Sequence, residues 1–106
     1  MNKFVTELTD ENYNNFVSSG VVLVDVLASW CGPCRIIGPL VDQIAVEYEN
    51  KVSVGKLDAD NNRQTISILG VKSIPTLFIY KDGKVVDKLV GLVSKDKIVE
   101  KLNLHL

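Results

Sequence analysis

Apolar residues follow two different periods along this chain. Val21-Val22-Leu23-Val24-Asp25-Val26-Leu27 is apolar on both parities and rich in β-branched side chains. That is the pattern of a central strand buried on both faces. After Cys34 the period changes: Ile37, Leu40, Val41, Ile44, Ala45 and Tyr48 recur at helical spacing. They predict the longest helix of the molecule, over residues 32–49. Pro39 lies inside it and predicts a kink, because proline offers no N–H to the preceding turn.

Shorter elements surround this pair. A strand is expected near residues 3–6, then a helix capped by Thr9 with Asp10 and Glu11 in its first turn, where the helix dipole favours acids. Gly20 is placed to stop that helix. Residues 52–58 read as a strand and Arg63–Leu69 as a short helix ended by Gly70. Thr76–Lys81 and Lys84–Val90 flank Asp82-Gly83, a strong two-residue hairpin signal. Ser94 caps a last helix that carries Ile98, Val99 and Leu102. The order, summarised as βαβαββα, implies an α/β fold in which a mixed sheet is covered by helices on both faces.

Composition narrows the class. With 106 residues, 46% of them hydrophobic and 24% charged, the chain fits one globular domain over residues 1–106. A chain of this length folds without staples, so its two cysteines need not be structural. Twelve basic against 13 acidic residues leave no electrostatic footprint for nucleic acid. Lys81, Lys84 and Lys88 are interrupted by Asp82 and Asp87 and read as solvated faces. The N-terminal residues, beginning at Met1, show no apolar signal-peptide core and no cleavage site, and no Asn-x-Ser/Thr sequon occurs. No apolar run approaches the ~20 residues that span a bilayer. A cytoplasmic, reducing environment is the expectation, and stable disulfides are rare there.

The chemistry lies in Trp30-Cys31-Gly32-Pro33-Cys34, at the junction of the buried strand and the long helix. Three uses of the cysteines compete. A structural zinc needs four ligands; the chain offers two thiols and one histidine, His105, in what reads as the last helical turn. A structural disulfide closing so small a ring gains only about 2 kcal/mol from loop entropy. A redox dithiol fits the spacing best. Cys31 lies at the edge of the helix N-terminus, where free N–H groups stabilise a thiolate, and Cys34 lies three residues on, inside the first turn. On this reading Cys31 is exposed and activated while Cys34 waits behind it. Pro33 suits a first helical turn. Asp58-Ala59-Asp60-Asn61-Asn62 begins like a calcium loop, but Arg63 and Leu69 replace the glycine and glutamate it requires, leaving a loop and helix cap.

The motif Trp30-Cys31-Gly32-Pro33-Cys34 resembles the active site of the thioredoxin family. So do Asp25 six residues earlier, Pro39, Lys56, Ile74-Pro75-Thr76 and Gly91. The Gly-Pro pair between the cysteines is similar to that of the reductant members; the disulfide isomerases typically carry Gly-His. The resemblance implies a thioredoxin fold and a protein-disulfide reductant. Cys31 would attack a target disulfide, and Cys34 would resolve the mixed disulfide. Asp25 would accept the proton of Cys34, and a lone carboxyl in an apolar strand should titrate late enough to do so. The plainer alternative is that Asp25 pairs with Lys56 or sits at an edge. Lys56 shares the parity of Val52 and Val54 and would tune Asp25 from inside.

X–Pro bonds are ordinarily trans; the resemblance implies a cis bond at Pro75. It also implies a flat docking face of Trp30, Gly32, Pro33, Ile74, Pro75, Val90, Gly91 and Leu92. Trp30 as plain core filler is the competing reading. No bound cofactor is expected. Reducing equivalents would come from NADPH through thioredoxin reductase, the partners being that enzyme and disulfide-containing proteins, with the chain a monomer. Val26 and Leu27 depart from the family pattern, which commonly has aromatics there. An oxidant or isomerase on the same fold, or a non-catalytic subunit of a larger assembly, are the rival readings.

Overall fold

The computed structural model describes residues 2–106. Its elements follow in the order β1 (Val5–Leu8), α1 (Tyr13–Phe16), β2 (Val21–Leu27), α2 (Gly32–Glu47), β3 (Ser53–Asp58), α3 (Arg63–Leu69), β4 (Thr76–Lys81), β5 (Lys84–Val90) and α4 (Lys95–Asn103). From β2 onward this is the βαβαββα order read from the sequence; β1 and α1 precede it. The five strands are arranged β1-β3-β2-β4-β5. β3 pairs in parallel with β1 and with β2, while β4 runs antiparallel to both β2 and β5. The sheet is therefore mixed, and the strand that is apolar on both parities is its centre.

Alternation along β2 sends its side chains to two separate cores. Leu23 packs with Ile37, Val41, Ile44, Ile98 and Leu102 of α2 and α4. Val22, Val24 and Val26 pack with Leu57, Phe78, Tyr80 and Tyr13, closed over by Ile66 and Leu69 of α3. Ile37, Val41 and Ile44 are wholly buried. At about 1.5–3 kcal/mol for each such side chain, their helical spacing fixes which face of α2 meets the sheet. Asp25 shares the parity of Leu23, so the one charged residue of β2 is turned to the α2 layer.

The chain reverses as the turn residues dictate. Asp82 and Gly83 both adopt left-handed φ, 50° and 86°, in the two-residue hairpin between β4 and β5. A Cβ on Gly55 would stand 2.7 Å from Leu8 and 2.9 Å from Phe16. The missing side chain is what lets β1 and α1 close over β3. Ser94 accepts the Lys97 N–H and starts α4.

The N-terminal part differs from its sequence expectation. The first strand is Val5–Leu8 rather than residues 3–6, because Asn2 ties back residues 4 and 5 through its side chain and carbonyl. α1 is a single turn of four residues and begins after Asn12, not Thr9. Thr9 and Asn12 instead exchange backbone-to-side-chain hydrogen bonds of 2.8 and 3.1 Å. Asp10, expected in the first turn of α1, accepts from the backbone N–H and the hydroxyl of Thr65 and caps α3. α2 continues through Pro39, which stands exposed on the outer side, and ends at Glu47, two residues short of its expected end. β3 starts one residue late, at Ser53. α4 ends at Asn103, which leaves His105 beyond the helix with Nε2 3.3 Å from Asp87 Oδ2.

Candidate active site

The strand-to-helix junction places the two sulfurs. Cys31 is the N-cap residue of α2 in extended conformation, and its Sγ accepts the backbone N–H of Cys34 at 3.2 Å. Three residues of helix bring the Cα atoms of Cys31 and Cys34 to 5.4 Å, and the two are disulfide-bonded. Pro33 occupies the first turn, where its missing N–H leaves nothing unsatisfied. Arg35 reaches back to the Ser29 carbonyl at 3.2 Å, and Cys31 N–H donates to Ala28.

Cys31 is not exposed in this oxidised state. It is 4% accessible and Cys34 8%, because Ala28, Leu27 and Ile74 pack around the bridge. The difference in exposure that the sequence suggested does not exist while the bond is closed; what separates the two sulfurs is the helix N-terminus, which faces Cys31.

Asp25 is 1% exposed, and neither of its carboxylate oxygens has a hydrogen-bond partner. Burial pushes its pKa up to about 6; Lys56 pulls it down and Asp42 pushes it up, each by less. Lys56 stands directly opposite Asp25 in the β2–β3 register and faces the α2 layer, as its parity required. It does not pair with Asp25. Its ammonium lies 2.8 Å from Asp42 Oδ1 and 3.4 Å from the Gly38 carbonyl, both on α2. Asp42 was not among the residues the sequence singled out. Its signal was available, an acid one helical turn after Gly38, but nothing local says that β3 would face it.

The other expected site residues converge from three loops. The Ile74–Pro75 bond is cis, as the resemblance implied. Gly91 donates its N–H to the Pro75 carbonyl at 2.9 Å, and Val90 stands opposite Thr76. Ile74 packs on the disulfide while Pro75 is buried beside it in sequence. Gly32, Pro33, Val90 and Leu92 are exposed, and Gly91 is half-buried.

Trp30 is no core residue: it is 69% exposed, and its Nε1–H donates to Asp60 Oδ2 at 2.9 Å. Asp60 lies in the segment that reads as a plain loop, where Asp58 accepts from the Asp60 N–H and from Asn61. Asn62 precedes α3 without capping it by its side chain, which instead accepts the Asp10 N–H. Trp30 and Ile74 border an apolar cavity of about 290 Å³ with Ala59, Ile66 and Val71. Val26 is wholly buried in the α1/α3 core, whereas Leu27 packs against the disulfide. Among the described residues, no group of three His, Cys, Asp or Glu side chains is placed to hold a metal ion. No described helix is long and apolar enough to cross a membrane.

Comparison with known proteins agrees with this geometry. The thioredoxin family model matches residues 4–104. Thioredoxins of Staphylococcus aureus strains MW2 and COL are each 45% identical over 102 residues, covering 96% of this chain and 98% of theirs. With a Trp-Cys-Gly-Pro-Cys disulfide at the start of α2 and a match over nearly its whole length, the chain belongs to the thioredoxin family and is a thiol–disulfide oxidoreductase of the disulfide-reductase kind.

Proposed function

We propose that the reduced protein acts with Cys31 as nucleophile and Cys34 as resolving thiol. The Cys31 thiolate attacks one sulfur of a target disulfide, the S–S bond breaks, and the other target sulfur leaves as a thiolate. Cys34 then gives its proton to Asp25 and attacks Cys31 Sγ. The Cys31–Cys34 bond forms and the second target sulfur is released, so two electrons pass to the target. The observation that carries this assignment is the N–H of Cys34 on Cys31 Sγ at the mouth of a 16-residue helix. A thiolate at Cys31 is stabilised there, and among the described residues no such donor lies on Cys34 Sγ.

Asp25 suits the acceptor role because both of its oxygens are unpartnered and its pKa is raised to about 6. Lys56 acts on Asp25 through its charge. Trp30, Gly32, Pro33, Ile74, Pro75, Val90, Gly91 and Leu92 form the docking face. Pro75, which has no N–H, leaves room there for a target backbone. The redox group is the disulfide itself. Thioredoxin reductase, drawing on NADPH, regenerates the dithiol. The protein works as a cytoplasmic monomer on disulfide-bonded proteins, the expectation for its family.

Two variants and one potential test this. Cys31→Ser is expected to abolish reduction of protein disulfides, and retention of activity would refute the assignment. Cys34→Ser should accumulate mixed disulfides with targets, visible as mass adducts; their absence would undo the division of roles. The reduction potential, followed by the fluorescence of Trp30, is expected below the glutathione poise. A value well above it would make the protein an oxidant or isomerase.

A further inference from the structure

Lys56 has two ways to spend its charge. It lies opposite Asp25 on the neighbouring strand, and adjacent strands are about 4.8 Å apart. A lysine stem could therefore bring the ammonium to the Asp25 carboxyl by a change of rotamer. Yet both Asp25 oxygens are bare, and the ammonium lies 2.8 Å from Asp42 Oδ1 and 3.4 Å from the Gly38 carbonyl. Gly38 and Asp42 are four residues apart on α2, so an ion-pair contact to the carboxylate, without hydrogen-bond geometry at Oδ1, and a long hydrogen bond to the carbonyl fall on one helix face. Gly38 helps by what it lacks, since a Cβ there would already touch Lys56 Nζ at 3.6 Å.

We infer that Asp42 is a positioning residue for the resolving step: together with the Gly38 carbonyl it keeps the Lys56 ammonium on α2 and so leaves Asp25 without a contact counterion. This rests on the reading of Asp25 as the proton acceptor for Cys34. The chemistry requires such a device. A carboxyl in contact with a buried cation stays ionised far below neutral pH and is a poor base. With the cation one step away, burial dominates and the carboxyl titrates in a useful range.

The charged groups that bear on the pair come from four elements. Asp25 is on β2, Asp42 on α2, Lys56 and Asp58 on β3 and Glu7 on β1. Glu7, Asp42, Lys56 and Asp58 line one cleft of about 430 Å³ with Leu27, and Lys56 is the single cation among its described lining residues. On the β4 side Asp25 faces Leu77, which carries no charge, and on α2 Cys34 bears none while bonded to Cys31.

The test is the titration of the Asp25 carboxyl carbon by NMR in the reduced protein, beside the pH profile of disulfide reduction. Asp42 is 36% exposed, so its replacement leaves the core intact. Asp42→Asn should free Lys56 and lower the Asp25 midpoint by roughly half a pH unit, about a threefold rise in the ionised fraction below it. Asp42→Glu should restore most of the parent value. In a Lys56→Met background the effect of Asp42→Asn should shrink to less than half. An unchanged or raised midpoint in Asp42→Asn overturns the inference. So does an equal fall with and without Lys56, which would mean that Asp42 acts by its own charge alone. If the midpoint moves as expected but the rate profile does not follow, the hold on Lys56 stands and the proton-acceptor role of Asp25 fails.

Discussion

Two aspartates on opposite sides of the sheet show how one residue type serves structure or chemistry. Asp10, on the α1/α3 side, accepts two hydrogen bonds from Thr65 at 2.8 and 2.6 Å, and they hold its carboxyl below the usual range. Asp25, on the α2 side, accepts none and is pushed up to about 6 by burial. The first is ionised, satisfied and spent on closing a seven-residue helix. The second is held in a state that costs folding free energy, which fits the proton-acceptor role proposed for it. The difference is made by neighbours and not by the carboxyl group.

The largest expected break in this comparison comes from Asp25→Asn. Turnover of a protein disulfide at neutral pH should fall by roughly a hundredfold, the low end of what a positioned base contributes. Steady-state reduction assays with the thiols pre-reduced read this directly. A rate within a factor of about two of the parent would remove Asp25 from the mechanism.

Stability should move the other way. The folded-state pKa of Asp25, about 6, exceeds its ordinary value of 3.8, so the folded chain holds this proton more tightly than the unfolded one. Its contribution therefore falls as pH rises from about 4 to about 6 and levels off above that. Asp25→Asn removes the slope and should stabilise the protein by about 3 kcal/mol at pH 7, with little gain at pH 4. Urea denaturation at the two pH values measures it.

Asp10→Ala should show the opposite pH dependence and a smaller effect. Its folded-state pKa is depressed, so its contribution is present above 3.8 and is lost as pH falls through the lower folded value. The variant should melt below the parent at neutral pH, converge with it in acid, and reduce disulfides at the parental rate. Thermal melts across pH check the first two points. A variant that lost activity would show that the α3 end is coupled to the site, and the two aspartates would no longer be separable.

The smallest effect on folding belongs to Trp30→Phe. The Asp60 bond it breaks lies at the surface, so stability should change by no more than about 0.5 kcal/mol. KM for protein disulfides should rise while kcat holds, because the indole is part of the proposed docking face and not of the exchanging sulfurs.

What the sequence determined by itself was whatever depends on neighbours along the chain. The apolar run of β2, the helical spacing of α2, the Asp82-Gly83 hairpin and the cysteines at the strand-to-helix junction all express local periodicity or local turn chemistry. The family was legible for the same reason, being carried by a contiguous motif and a few spaced residues. Parity even set Lys56 on the correct face, since alternation along a strand leaves no other choice. Tertiary structure decided the partners. Asp10 caps a helix 55 positions away, Trp30 finds Asp60, and Lys56 turns from Asp25 to Asp42. It also decided that Cys31 lies covered while the disulfide is closed. These outcomes depend on which elements dock side by side, and a long polar side chain takes the best geometry among the groups that docking offers it. No pattern within a strand or a helix contains that information.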